Sequence, residues 1–329
     1  MRAYNPTSSR RFFHSMNQKP VKVRYVTVDE RGDGQRIDNF LLRELKGVPR
    51  TLIYRLLRKG EVRVNKGRAK PGRKLVAGDI VRIPPVRVPD AAVAGVPKQW
   101  EIQKIEKSVM YEDNLLLIIN KESGLAVHGG SGISFGVIEL LRASRPNEKA
   151  LELAHRLDRD TSGCLMLAKK RSALRTLQEL QREGRVHKRY LALLDGLWSK
   201  NKQQVKVPLT KNTLKSGERI VRVDAAGKAA HTEFRVVKRF ANATLVEAVL
   251  KTGRTHQIRV HAQYLGTPIL GDEKYGNEQT NREYRKLGLK RLFLHAASLT
   301  FPWPGREQGY AFEAPLPQEL QDLLDRLDV

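Results

Sequence analysis

The chain has 329 residues, 40% of them hydrophobic, enough for two or three packed domains. Its 61 Lys and Arg against 35 Asp and Glu leave a formal charge of +26, an excess that points to a polyanion. No stretch approaches the roughly 20 apolar residues of a membrane span, and the single cysteine, Cys164, excludes an internal disulfide framework and disfavours a thiolate metal cluster. Nucleic acid, met in a reducing cytoplasm, is the partner this balance favours.

The first fifteen residues hold Arg2, Arg10 and Arg11 with Ser8 and Ser9 and no acid, as an organellar leader does, but no amphipathic pattern. Met16 is an alternative start, and residues 1–20 are expected to be disordered. Residues 21–28 alternate as a strand does. Ile37, Phe40, Leu41 and Leu45 then recur at helical spacing, and so do Leu52, Ile53, Leu56 and Leu57, with Gly60 as the C-cap of the second helix. Val62–Val64 and Ile80–Ile83 read as strands, with Asn65-Lys66-Gly67 as a turn. Residues 35–83 carry fourteen Lys and Arg against four Asp and Glu. Arg50, Arg55, Arg58 and Lys59 lie on the polar face of the second helix, and Arg63, Lys66 and Arg68 follow it. So few interspersed acids favour contact with a phosphate backbone over a merely solvated face. Pro84, Pro85, Pro89 and Pro97 then mark a semi-stiff linker, taken as residues 84–105.

A buried strand is expected at Leu115–Asn120, a turn at Lys121–Gly124, and a glycine-rich loop at Val127–Gly132 before a helix over 135–144. The loop amides suit a phosphate, though a plain loop fits equally. Next comes His155-Arg156-Leu157-Asp158-Arg159-Asp160-Thr161-Ser162-Gly163, which crowds charge onto the mouth of an apolar strand, Cys164–Ala168. Further helices are expected at 172–182 and from the Thr252–His261 stretch to about Tyr264. Further strands are expected at 186–194, 219–223, 231–238, 243–250 and 291–296. Many strands with few, separated helices indicate an α+β fold on a mostly antiparallel sheet.

The charged loop is either an active site or a salt-bridged turn. A metal is disfavoured, because His155 with Asp158 and His256 with His261 lack the usual ligand spacing and are ringed by arginines. A triad hydrolase would need a nucleophile elbow, and no Gly-x-Ser-x-Gly is expected around the candidate serines. Asp158 and Asp160 are too close in sequence to flank a glycosidic bond. What remains is one carboxylate among cations, a nucleophile or base rather than an acid.

Two resemblances extend this reading. Residues 35–83 resemble the S4 RNA-binding domain: two short helices, then a small sheet. The large segment resembles the RluA-type pseudouridine synthases through His155-Arg156-Leu157-Asp158-x-x-Thr161-Ser162-Gly163 and four further motifs. These are Asn120-Lys121-x-x-Gly124-x-x-Val127-His128, Lys188-x-Tyr190, Gly253-Arg254-Thr255-His256-Gln257-Ile258-Arg259-Val260-His261, and Gly271-Asp272 with Tyr275-Gly276. Leu294-His295-Ala296 fits as well. The resemblance implies an S4-type domain at 21–83 and a catalytic domain at 106–329. It implies isomerisation of a flipped uridine in large-subunit ribosomal RNA, by a cytoplasmic monomer using neither metal nor cofactor. Asp158 would be catalytic, Arg254 its basic partner and Tyr190 the aromatic residue stacked on the uracil. Ile258 would floor the pocket, Arg156 would fill the space the base leaves, and His128 would lie on the substrate side. A noncatalytic assembly factor, and the same chemistry on transfer RNA, are the alternatives.

Overall fold

The computed structural model describes residues 22–45, 48–86, 96–129, 134–213 and 219–328. The expected amino-terminal extension lies outside them. The chain divides into two compact units, residues 1–94 and 95–329.

In the first unit, β1 (Arg24–Thr27) leads through a 3-10 turn to α1 (Ile37–Glu44) and α2 (Arg50–Lys59). Then come β2 (Arg63–Val64), β3 (Gly67–Arg68) and β4 (Ile80–Ile83). The strands pair antiparallel in the order β1-β4-β2-β3. The apolar stripe of α2, Ile53, Leu56 and Leu57, packs with Phe40 and Leu41 of α1 and with the sheet. Gly60 ends α2 in the left-handed conformation, φ 71°, as its position in the sequence requires. Asp38 ties the helices together: its carboxylate accepts from Arg36 Nη2 at 2.8 Å and from the Tyr54 hydroxyl at 2.7 Å. The Arg36 guanidinium holds its pKa below the usual carboxylate range.

The second unit opens with α3 (Gln99–Lys107), β5 (Val109–Glu112), β6 (Leu116–Lys121), α4 (Val137–Ser144) and β7 (Glu152–Leu153). It continues with β8 (Ser162–Ala168), α5 (Arg171–Arg182), β9 (His187–Asp195) and β10 (Lys202–Val205). Next are β11 (Leu209–Thr213), β12 (Arg219–Val223), β13 (Thr232–Arg239) and β14 (Ala243–Leu250). It closes with α6 (Gln257–Tyr264), α7 (Glu278–Lys286), β15 (Leu294–Phe301), β16 (Tyr310–Glu313) and α8 (Gln318–Leu327). The large sheet runs β10-β13-β14-β9-β15-β8-β6-β5, with β16 on β15 and β7 on β8. Its pairs are antiparallel except β8 with β15. The α+β architecture on a mostly antiparallel sheet is as expected.

Both faces of the sheet centre are covered, which is why β6 and β8 read as continuous apolar runs. Leu117 and Ile119 of β6, with Leu165 and Leu167 of β8, face a core built with α3, α4, α6 and α8. Their alternates Leu116, Ile118, Cys164 and Met166 face Ala173, Leu177 and Leu180 of α5. Cys164 is thus a small buried core residue, and burial pushes its thiol up to about 11.

The linker expectation needs correction. Gln99–Lys107 is helix α3, begun by the Glu101 carboxylate accepting the Lys98 N–H at 2.8 Å, and its Ile105 is buried in the core of the large unit. Proline content obscured a helix that starts only two residues after Pro97. Among the described residues no helix is long and apolar enough to cross a membrane.

Gly163 is the tightest point of the sheet. Its φ is +108°, and a Cβ there would lie 2.3 Å from the Ala296 carbonyl oxygen of β15. Gly163→Ala is therefore expected to cost about 3 kcal/mol or more. Gly184→Ala, also at positive φ but in open space, should cost about 1–2 kcal/mol. Urea unfolding of both variants measures the difference.

Candidate active site

The turn after β7 hands the chain to β8, and Asp158 sits on it, its side chain 20% exposed. Thr161 N–H closes the turn onto the Asp158 carbonyl at 3.2 Å. Neighbouring groups hold the next carbonyls. Gly124 N–H and Lys121 Nζ both reach the Arg159 carbonyl at 2.9 Å, and the Ser123 hydroxyl reaches that of Asp160 at 2.7 Å.

Lys121 ends β6 fully buried, not in the surface turn the sequence suggested. Its three N–H groups go to three carbonyls, Glu122 at 2.7 Å, Leu125 at 2.9 Å and Arg159 at 2.9 Å. Burial lowers its pKa to about 7. One acceptor per ammonium proton favours the charged form nonetheless.

On the far side of the turn, Arg291 Nη2 donates to the Ser162 hydroxyl at 2.7 Å. That hydroxyl lies 2.9 Å from His295 Nδ1, and His295 Nε2 lies 3.1 Å from the Ala314 carbonyl. The chain of donors is consistent with a neutral His295 carrying its proton on Nε2, and burial lowers its pKa.

Facing Asp158 is the first turn of α6. Arg259 Nη1 lies 3.6 Å and His256 Nε2 3.8 Å from Asp158 Oδ2. Arg259 is fixed from behind. Its Nε and Nη2 donate to the two carboxylate oxygens of Asp272 at 2.7 and 2.8 Å, and its guanidinium lies 4.9 Å from the Tyr275 ring centre. These groups border a cleft of about 1400 Å³, whose walls carry Arg156, Arg159, Lys274 and Lys290 together with the carboxylates of Glu122, Asp160, Glu273 and Glu319. Among the described residues no group of three or more His, Cys, Asp or Glu is placed to hold a metal ion.

Residues 115–264 match the family model of RNA pseudouridylate synthase, and residues 35–81 match that of the S4 domain. The chain is 54% identical to the ribosomal large subunit pseudouridine synthase C of Pasteurella multocida (strain Pm70), over 95% of this chain and 98% of that protein. The chain belongs to the RNA pseudouridylate synthase family. Identity to the synthase C of Escherichia coli (strain K12) is 55%, over 93% and 97% of the two chains. Among solved structures, Human RNA Pseudouridylate Synthase Domain Containing 4 is similar with a TM-score of 0.57 at 29% identity, covering 69% of this chain and 95% of that one.

The structure brings some of the expected site residues of this family member together and separates others. Arg156 and His128 are exposed on the cleft wall, and Arg156 makes no hydrogen bond or ion pair among the described residues. Tyr190 is buried on β9. Burial raises the pKa of its hydroxyl and the Asp158 carboxylate raises it further. Ile258 is buried in the same apolar cluster, together with Leu157 and Val127, which line the cleft. Arg254 is not the partner of Asp158. It lies exposed before α6, with Nε on the Ala229 carbonyl at 3.0 Å. Arg259, in the same motif, takes that place. Arg259 lies in the first turn of α6 and His256 immediately before it, so both sit at the helix start.

Gly130, Ser131 and Gly132 of the glycine-rich loop lie outside the described residues. On either side of them the Glu139 carboxylate accepts Gly129 N–H and Gly136 N–H at 2.9 Å each. Contrary to expectation, Gly132-Ile133-Ser134-Phe135-Gly136 spells Gly-x-Ser-x-Gly. Its described part leads into α4 with Gly136 packed against the His128 backbone, not off the end of a strand. In the first unit, Arg50, Arg55, Arg58, Lys59, Arg63, Lys66 and Arg68 are all exposed.

Arg259→Ala leaves Asp272, whose side chain is 0% exposed, without its cation. It should cost about 3–5 kcal/mol and abolish activity, whereas Arg254→Ala should stay within about 1 kcal/mol of wild type in urea unfolding. Lys121→Met removes the Nζ donor from the Glu122, Leu125 and Arg159 carbonyls, of which, among the described residues, only that of Arg159 keeps another, the Gly124 N–H, and should cost about 2–4 kcal/mol in the same measurement.

Proposed function

We infer that the protein converts uridine to pseudouridine in large-subunit ribosomal RNA. The observation that carries this reading is a partly exposed carboxylate, Asp158, faced by the buried Arg259 and by His256 at the edge of a wide polar cleft. The reaction breaks the N1–C1′ bond, turns the base, bonds C5 to C1′ and moves the C5 proton to N1. Atoms and oxidation state balance within the nucleotide, so the reading calls on no metal or cofactor.

Asp158 acts on the ribose of a uridine flipped out of its helix. Arg259 holds the carboxylate and offsets charge that develops on it. Tyr190 underlies the uracil ring, with Ile258 behind it. Arg156, unpaired on the cleft wall, reaches the space the base vacates, and His128 contacts the strand. Residues 21–86 supply affinity through Arg50, Arg55, Arg58, Lys59, Arg63, Lys66 and Arg68, and the unit beginning at 95 supplies chemistry. The setting is the bacterial cytoplasm, and the working form is a monomer. The relatives named for large-subunit ribosomal RNA favour that substrate over transfer RNA.

Incubation with uridine-labelled ribosomal RNA, followed by nucleoside separation, tests the reading. Pseudouridine should accumulate, and Asp158→Asn should lower its rate by about a thousandfold or more while RNA affinity stays within about twofold. Free uracil or cleaved strands would reject it, as would a fully active Asp158→Asn. Replacing Arg55, Arg58 and Lys59 by Ala should flatten the plot of log affinity against log salt by about 2–3. An unchanged slope would remove those residues from the RNA interface.

A further inference from the structure

Arg259 is one of two groups that face Asp158, and the reading above leaves the other, His256, without a role. His256 immediately precedes α6 with φ 53° and ψ 20°, a left-handed conformation that a histidine adopts at a cost of about 1 kcal/mol. The other described non-glycine residues at positive φ, Asn65 and Lys66, occupy a hairpin turn where that geometry is routine. At His256 the backbone strain aims the ring between two partners.

One partner is Tyr275. Its hydroxyl lies 2.7 Å from His256 Nδ1, and the two rings meet edge to face at 5.5 Å. The same hydroxyl oxygen accepts the Val221 N–H of β12 at 3.0 Å. No other acceptor for the Tyr275 proton occurs among the described residues, so that proton goes to Nδ1. His256 must then carry its own proton on Nε2. The other partner is Asp158, whose Oδ2 lies 3.8 Å from Nε2.

The surroundings favour a neutral ring. Asp158 and Asp272 face His256 with negative charge, Arg259 and Lys274 with positive charge, and burial lowers its pKa before any of them acts. A neutral N–H can orient a carboxylate without adding a second full cation. At 3.6 and 3.8 Å the two donors of Arg259 and His256 are outside hydrogen-bond range, as catalytic contacts often are before substrate arrives. Both converge on Oδ2.

We propose that His256 is a positioning residue for Asp158: locked by Tyr275 as the Nε2–H tautomer, it joins Arg259 in fixing Oδ2 and leaves Oδ1 turned toward the ribose. The hydroxyl of Tyr275, and through Val221 the β11–β12 hairpin, thereby set the orientation of the reactive group. This rests on the isomerase reading for its kinetics, though not for its tautomer.

The test compares wild type with His256→Ala, His256→Gln and Tyr275→Phe on a ribosomal RNA transcript, and records the imidazole nitrogen NMR spectrum of the wild type and of Tyr275→Phe. The Phe ring still fits beneath Arg259, so that variant removes only the hydroxyl. His256→Ala should lower kcat by about 10- to 100-fold with KM within about threefold. His256→Gln, whose amide N–H can reach the same carboxylate, should restore most of the loss. Wild type should show the Nε2–H tautomer, and Tyr275→Phe a mixture of both. Unchanged kcat in His256→Ala would overturn the proposal, as would equal losses in the Ala and Gln variants accompanied by a lower Tm, or an Nδ1–H tautomer in wild type. If wild type makes no pseudouridine, the isomerase reading falls, and the tautomer measurement still decides the arrangement proposed here.

Discussion

The site depends on one buried ion pair. Asp272 is removed from water, and its oxygens accept four hydrogen bonds: two from the Arg259 guanidinium and two from the Lys274 and Tyr275 amides. Without that saturation the desolvation of two charges would outweigh their attraction. With it, the guanidinium loses its freedom. Nε and Nη2 are committed to Asp272, the ring of Tyr275 supports one face, and Nη1 is left to point at Asp158. The placement of the remaining N–H is a consequence of packing. A lysine there would supply charge without the fork that fixes its direction.

A second buried cation organises the other side. Lys121 sits at the end of β6, directly beside β8, and gathers the carbonyls of Glu122, Leu125 and Arg159. The turn bearing Asp158 is thus pinned to the sheet by a lysine and a glycine amide on one flank and by the Arg291–Ser162–His295 chain on the other. The sheet can hold such groups because its centre is covered on both faces, where water does not compete for them.

Much of this was legible in the sequence, and the limits have physical causes. The apolar runs of β6 and β8 stood out because two-sided burial removes polar alternation. The Asp158 turn stood out because charge at the mouth of such a run is costly unless used. The α5 and α6 segments were visible from helical spacing. By contrast, α7 escaped because it is polar nearly all round, with only Asn281 and Tyr284 buried. Helix α8 carried a readable signal, Leu320, Leu323 and Leu324, that went unused. Lys121 was misread as a turn residue because a lysine after a strand is usually solvated, and only the tertiary fold supplies three carbonyls to one ammonium. Arg254 and Arg259 lie in one motif. Choosing between them required the start of α6, since Arg259 lies in its first turn and Arg254 before it.

Three of the carboxylates that line the cleft, Asp272, Asp160 and Asp158, are separated by their surroundings. Asp272 is fully buried with every oxygen engaged, so it can neither reach a substrate nor change partners. Asp160 is exposed and pairs with Arg159 at 3.1 Å, a contact that solvent screens. Asp158 is reachable and faces two donors held just beyond hydrogen-bond distance of one oxygen. A carboxylate already satisfied by short hydrogen bonds would have to break them to react. One left in solvent would have to be desolvated and oriented during the reaction. The rigidity around Asp158, built from the hydrogen-bonded groups behind it, avoids both costs.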